Sequence, residues 1–154
     1  MPSDAARLSA GLVIAGGSSL LLGALAFEHL GGLAPCEMCM WQRWALVAAI
    51  ALAVPGWLAR SRALAALAAL AVLAGAGIAG FHAGVEQKWW QGITSCAAAP
   101  AGGSAQDVIG AILAAPLVRC DAIPWSLFGL SMAGWNMLIS TLIGGLALWR
   151  LTRA

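Results

Sequence analysis

Cys36 and Cys39 lie in the segment Cys-Glu-Met-Cys, and Cys96 and Cys120 follow further along the chain. Thiols so placed can close into disulfides and reopen. A thiolate of one pair can attack the disulfide of another through a mixed disulfide, passing oxidising equivalents on without a metal. The Cys36/Cys39 pair stands just before or within the first turn of an apolar helix. There the unpaired backbone N–H groups and the helix dipole favour an anion and lower the pKa of a nearby thiol. Arg43, four residues after Cys39, and Gln42, three after, share its helical face, so a Cys39 thiolate would have a cation as neighbour. Which cysteine pairs with which is not decided by spacing alone.

Two other uses of four cysteines compete with exchange. Static disulfide staples are their commonest role in an oxidising compartment, but a CxxC pair at a helix start beside an arginine argues against it. A structural zinc site usually shows two close ligand pairs. Cys96 and Cys120 are too far apart in sequence for that pattern, so no metal is expected.

These residues must be positioned by elements that live in lipid. The chain of 154 residues is 62% hydrophobic and 9% charged, with a mean hydropathy of +0.89, far more apolar than soluble domains. The net charge of +2 forms no basic stripe, which excludes nucleic acid as a partner. A bilayer core of about 30 Å needs roughly 20 apolar residues in helical form. Four such runs predict spans at about 8–27, 40–59, 63–82 and 125–149 of one domain, 1–154. Ala24-Leu25-Ala26 has the look of a signal-peptide cleavage site, but the run before it exceeds the roughly 7–15 residues of a signal core, so a retained helix is expected. Arg7, Arg60, Arg62, Arg150 and Arg153 fall on one side of the spans. By the excess of Lys and Arg on cytoplasmic segments, both termini are then cytoplasmic, and segments 28–43 and 82–124, holding every cysteine, face outward. The expected fold is all-α: an integral membrane antiparallel four-helix bundle with two outward cysteine-bearing loops.

Within that frame, small residues at four-residue spacing permit close helix approach. Gly11, Ala15, Ser19 and Gly23 on the first span, and Ala71, Gly75, Ala79 and Ala83 on the third, are expected at bundle interfaces. The long second loop predicts a short surface amphipathic helix, with an N-cap pattern at Ser104 and Asp107 and one apolar face from Val108, Ile109, Ile112 and Leu113. His82 and Glu86, four apart near the outer end of the third span, suggest a proton path, although an interfacial hydrogen bond is the plainer reading. Trp41, Trp44, Trp89, Trp90 and Trp125 read as an aromatic belt, with stacking surface for a planar cofactor besides.

The segment Pro35-Cys36-Glu37-Met38-Cys39-Met40-Trp41-Gln42-Arg43, the stretch FHAGVEQKWWQG leading to Cys96, and VRCDAIPWSLFGLSMAGWN around Cys120 resemble the DsbB family of membrane disulfide-bond formation proteins over essentially the whole chain. The resemblance implies a multi-pass protein of the bacterial inner membrane with its cysteines on the periplasmic face. It implies that a soluble periplasmic DsbA-type thioredoxin-fold oxidase attacks a Cys96–Cys120 disulfide and forms a mixed disulfide with Cys96. Cys120 then attacks Cys36, and Cys39 is freed as a thiolate facing a membrane quinone, ubiquinone or menaquinone. Arg43 stands at the family's quinone-site arginine. Gln42, where some members carry an acid, and His82 complete the expected cofactor-binding set. The need for a quinone follows from the resemblance and not from the residues. Two other functions fit the same cysteines: a quinone reductase resembling the vitamin K epoxide reductase family, and a non-catalytic membrane scaffold braced by disulfides. The order of the cysteines and the VRCDAIPW match favour the first reading.

Overall fold

The structure, a computed structural model, describes residues 2–94, 104 and 118–153, without the side chains of Pro2 and Ser3. Cys96 and the residues expected to form the surface helix, Val108 to Leu113, lie outside the described residues. Among the described residues there are four helices, α1 (Pro2–His29), α2 (Glu37–Ala59), α3 (Arg62–Glu86) and α4 (Met132–Arg153), and a two-stranded hairpin, β1 (Ser126–Leu127) with β2 (Leu130–Ser131). All four helices are long and apolar enough to cross a bilayer, as the all-α membrane bundle requires.

The helices alternate in direction. Ser9 near the start of α1 donates to Ala147 O near the end of α4 at 3.0 Å. Arg62 at the start of α3 donates to Leu151 O at the end of α4, and the Arg7 guanidinium lies 4.2 Å from the centre of the Trp57 ring near the end of α2. The arginines expected to share one side of the spans are thereby gathered at one end of the bundle. α1 and α3 each pack on the other helices, while α2 and α4 lie on opposite sides with little direct contact.

The core at the arginine end is built from side chains small enough for helices to approach closely: Ala6, Ala10, Ala53, Ala65, Ala68 and Ala147 are all fully buried. Large apolar residues such as Leu22, Leu58 and Leu142 project outward, more than 60% exposed, which suits hydrocarbon and not water. Of the two expected small-residue stripes, the one on α3 holds, with Gly75 and Ala79 buried. The one on α1 does not. Ala15 and Ser19 are exposed, and the packed face is Ala6, Ala10 and Val13 instead, because in so Ala- and Gly-rich a helix several faces carry small residues.

Two local departures position the site. The fourth helix starts at Met132 and not near Trp125, since Ser126–Ser131 folds into the hairpin, with Phe128 (φ 52°) and Gly129 (φ 78°) giving the left-handed two-residue turn that matches strand twist. Ser131 then caps α4, its Oγ accepting from Gly134 N at 3.1 Å, as N-cap serines do. At the end of α3, Lys88 adopts a left-handed φ of 62°, and the chain doubles back. Trp90 stacks on Phe81 with centroids 5.7 Å apart and donates to Phe81 O at 3.0 Å. Gly84 makes this possible, because a Cβ there would run into the Trp90 ring.

Gly84→Ala should therefore displace Trp90 and destabilise the protein by about 1–3 kcal/mol, as overpacking does. Thermal unfolding in detergent should show a lowered midpoint, with the near-UV circular dichroism of the Phe81–Trp90 stack reduced. An unchanged midpoint and spectrum would count against this packing role.

Candidate active site

The CxxC segment is a helix cap. Cys36 has extended backbone (φ −78°, ψ 172°) and is the N-cap of α2. Its Sγ accepts from Cys39 N at 3.3 Å, doing with sulfur what a cap serine does with oxygen. The cap folds the two thiols together: Cys36 Sγ donates to Cys39 Sγ at 2.9 Å. That is near enough for a 2.0 Å S–S bond to form with little backbone movement. Cys36, Cys39 and Cys120 are free thiols. The Cys36 thiol is pushed far above the ordinary thiol range, first because its proton is donated to Cys39 and then by burial. In the reduced pair, Cys36 keeps its proton and Cys39 is the sulfur to which a negative charge falls.

The two sulfurs face different surroundings. Cys36 is buried in a small cluster with Met38, Val85 and Cys120, and Cys36, His82 and Cys120 bring their Sγ and Nε2 atoms within 4.8 Å of one another. Cys39 lines a cavity of about 330 Å³.

A buried chain of hydrogen bonds orders this centre. Gln42 Nε2 donates to Met38 O at 3.2 Å and lies 3.0 Å from His82 Nδ1, while Gln42 Oε1 accepts from Asn136 Nδ2 at 2.7 Å. Ser140 Oγ donates to Asn136 Oδ1 at 3.0 Å. Because a carbonyl can only accept, the atom beside Met38 O must be the amide nitrogen. His82 Nδ1 is then the acceptor and the imidazole proton sits on Nε2, 3.1 Å from Cys120 O and 3.6 Å from Cys36 Sγ. His82 thus presents an N–H to the sulfurs, whereas a metal would require a lone pair there.

Arg43 does reach the cavity that Cys39 lines. Its guanidinium is held by Glu28 and by Ala24 O at 3.2 Å, so α1 fixes the cation that α2 carries. Gln42 and His82 also line the cavity, with the polar atoms described above engaged to each other. Phe27 and Trp125, at a centroid distance of 4.9 Å, form one apolar wall. On the other side, Cys120 is fixed by its flanks. Asp121 Oδ2 accepts from Lys88 Nζ at 2.8 Å and its two oxygens receive Arg119 Nε and Nη2 at 2.8 and 2.7 Å. Thr94 Oγ1 lies 3.4 Å from Cys120 Sγ.

Of the residues singled out by sequence, the structure brings Cys36, Cys39, Gln42, His82 and Cys120 together and sets Arg43 on the same cavity. Cys96 lies outside the described residues. Asn136, Ser140 and Glu28 were not singled out. An amide within an apolar span is itself a signal of interhelical hydrogen bonding, whereas the pairing of Glu28 with Arg43, fifteen residues on, had no local signal.

A half-buried dithiol next to a third, buried cysteine, at one end of an apolar helical bundle, defines a membrane thiol–disulfide oxidoreductase. Comparison with known proteins agrees. The family described as disulfide bond formation protein DsbB matches residues 6–150, and this chain belongs to it. Relatives named disulfide bond formation protein B include one from Verminephrobacter eiseniae, 35% identical over 88% of this chain and 80% of its own. Another from Aromatoleum aromaticum is 32% identical over 86% and 85%, and one from Acinetobacter baumannii is 30% identical over 96% and 91%. No solved structure matches. The protein is accordingly a multi-pass membrane oxidoreductase of disulfide formation.

The ion pairs around Cys120 carry a pH dependence. Arg119, and then Lys88, hold the Asp121 carboxyl well below the usual carboxylate range. A folded-state pKa below the unfolded value of about 3.9 contributes stability above that pH and loses it as pH falls toward the folded value. Asp121→Asn should therefore lower the thermal midpoint at pH 7, with the gap to the unsubstituted protein closing as the pH is taken below about 4. A gap that stays constant through that range would contradict this assignment.

Proposed function

We propose that this protein reoxidises a soluble thioredoxin-fold dithiol oxidase of the DsbA type and passes the electrons to a membrane quinone, ubiquinone or menaquinone. The observation that carries this reading is the split surroundings of the CxxC pair: Cys36 touches the buried Cys120 centre, while Cys39 lines a separate, mostly apolar cavity. One sulfur is placed to receive electrons from a second cysteine pair and the other to pass them on.

The residues fit a quinone. A volume of about 330 Å³ falls within the range of small-molecule sites, which are apolar with a few convergent polar groups. Here those groups are Cys39, Arg43 and Glu86. Cys39 would face the ring, Arg43 would donate to a ring oxygen, and Gln42 and His82 would hold the wall behind them. Bound there, a quinone accepts two electrons and two protons.

On the donor side, Cys96 forms the mixed disulfide with the soluble partner, and Cys120 is released to attack Cys36, the sulfur it already neighbours. The arginine end of the bundle faces the cytoplasm with both termini, by the bias of Lys and Arg. The cysteines face the periplasm of a bacterial inner membrane, and residues 1–154 work as one domain.

Three measurements test this. Cys120→Ser, with Cys96 first activated by oxidation or pairing, should accumulate a Cys96-linked complex with the soluble oxidase, seen on non-reducing gels and lost on reduction, whereas Cys39→Ser should abolish quinone-dependent turnover. Wild-type turnover in Cys39→Ser would overturn the order of transfer. Arg43→Ala should raise the apparent KM for quinone about tenfold, a loss of ~1.4 kcal/mol. Arg43→Lys should recover only part, since a point charge does not replace a planar fork of donors. In spheroplasts, an impermeant thiol reagent should label reduced Cys96 from outside, and labelling only after permeabilisation would reverse the orientation.

A further inference from the structure

Glu86 is a second polar group on the cavity that the relay of sulfurs does not use. Its side chain is 2% exposed, it lines the cavity, and its Oε2 has no hydrogen-bond partner among the described residues. Its Oε1 lies 3.8 Å from His82 Nε2, just beyond hydrogen-bond range. Ser131 is hydrogen-bonded to the carboxyl, but not at Oε2. A charge on Oε2 in an apolar wall would lose its solvation with nothing in return, so burial favours the protonated acid. That proton has no acceptor among the described residues.

We infer that Glu86 is the acid that delivers a proton from Oε2 to the quinone oxygen. This rests on the quinone reading above and adds to it the source of one proton. His82 does not relay it: Nδ1 accepts from Gln42 and the Nε2 proton is turned to Cys120 O at 3.1 Å, so neither ring nitrogen has a free lone pair. After the transfer the Glu86 carboxylate is reprotonated from water.

The step balances. Before it, Cys39 is a thiolate and Cys36 a thiol. The Cys36 S–H bond breaks, the Cys36–Cys39 S–S bond forms, and two electrons leave the sulfurs for the quinone. One proton reaches the quinone from Glu86, which is reprotonated from water, while the Cys36 proton is released to water. The second comes from water, replacing the one Cys39 released on becoming a thiolate. The products are a disulfide and a quinol, with Glu86 restored.

The test uses the full-length protein in detergent with decylubiquinone as the probe. Glu86→Gln keeps the shape of the side chain but has no acid proton. After anaerobic reduction and rapid mixing, it should reduce decylubiquinone about a hundredfold more slowly or worse, the usual contribution of a positioned acid. Its equilibrium binding of decylubiquinone, read by quenching of tryptophan fluorescence, should stay within about threefold of the unsubstituted protein, again on the view that the acid acts in the step and not in binding. Glu86→Asp, which keeps the acid, should recover much of the rate. In the unsubstituted protein, infrared difference spectra should show the C=O stretch of a protonated carboxyl shifting when decylubiquinone binds, and that band should be missing in Glu86→Gln. A wild-type rate in Glu86→Gln would overturn the role of Glu86 and leave the quinone reading intact, as would a protein that binds quinone with no protonated carboxyl band. An unsubstituted protein that neither binds nor reduces decylubiquinone would overturn both.

Discussion

The carbonyls of Met38 and Cys120 can only accept hydrogen bonds, and they lie at opposite ends of the polar chain that runs through Gln42 and His82. Each carbonyl independently demands the same arrangement: amide nitrogen toward Met38, imidazole proton on Nε2 toward Cys120. α2, α3 and the segment carrying Cys120 are thereby locked to one another at the height of the thiols. Asn136 extends the lock to α4, joining the two helices that otherwise scarcely touch. Buried polar networks of this kind hold their geometry well when every member is satisfied. Here it sets the distance between Cys36 and Cys120.

Lipid imposes the rest. Helix association in hydrocarbon gains nothing from hiding apolar surface, so it relies on close van der Waals fit and on interhelical hydrogen bonds. The bundle divides these between its ends. The arginine end is packed through alanines, and the cysteine end is held through Gln42, His82, Asn136 and Arg43 with Glu28. Because polar side chains and not bulk pin the cysteine end, room is left there for a cavity of about 330 Å³ beside Cys39.

The sequence is legible where physics is one-dimensional. Long apolar runs announce α1 to α3, the arginines announce a shared end, and the CxxC segment announces two thiols at the start of a helix. It is less legible where a choice depends on partners distant in sequence. The small-residue stripe on α1 was placed on a face that turns out exposed at Ala15 and Ser19, because composition offers several such faces and only the neighbouring helices select one. The start of α4 was placed near Trp125, although Phe128-Gly129 before Ser131 carried a turn followed by an N-cap. Asn136 is visible as an amide in an apolar span, but its link to Gln42, across the bundle, is a fact of tertiary structure. The arginine near Cys39 was legible, and its restraint by Glu28 on another helix was not.

The account turns on the CxxC pair handing its electrons to a quinone without help from the outer pair. A protein retaining only Cys36 and Cys39, with Cys96→Ser and Cys120→Ser, isolates that step. Reduced anaerobically and mixed with excess decylubiquinone, it should convert one equivalent of quinone to quinol per chain while both thiols disappear from a denaturing thiol assay. Thiols that remain titratable while the quinone stays oxidised would contradict the account.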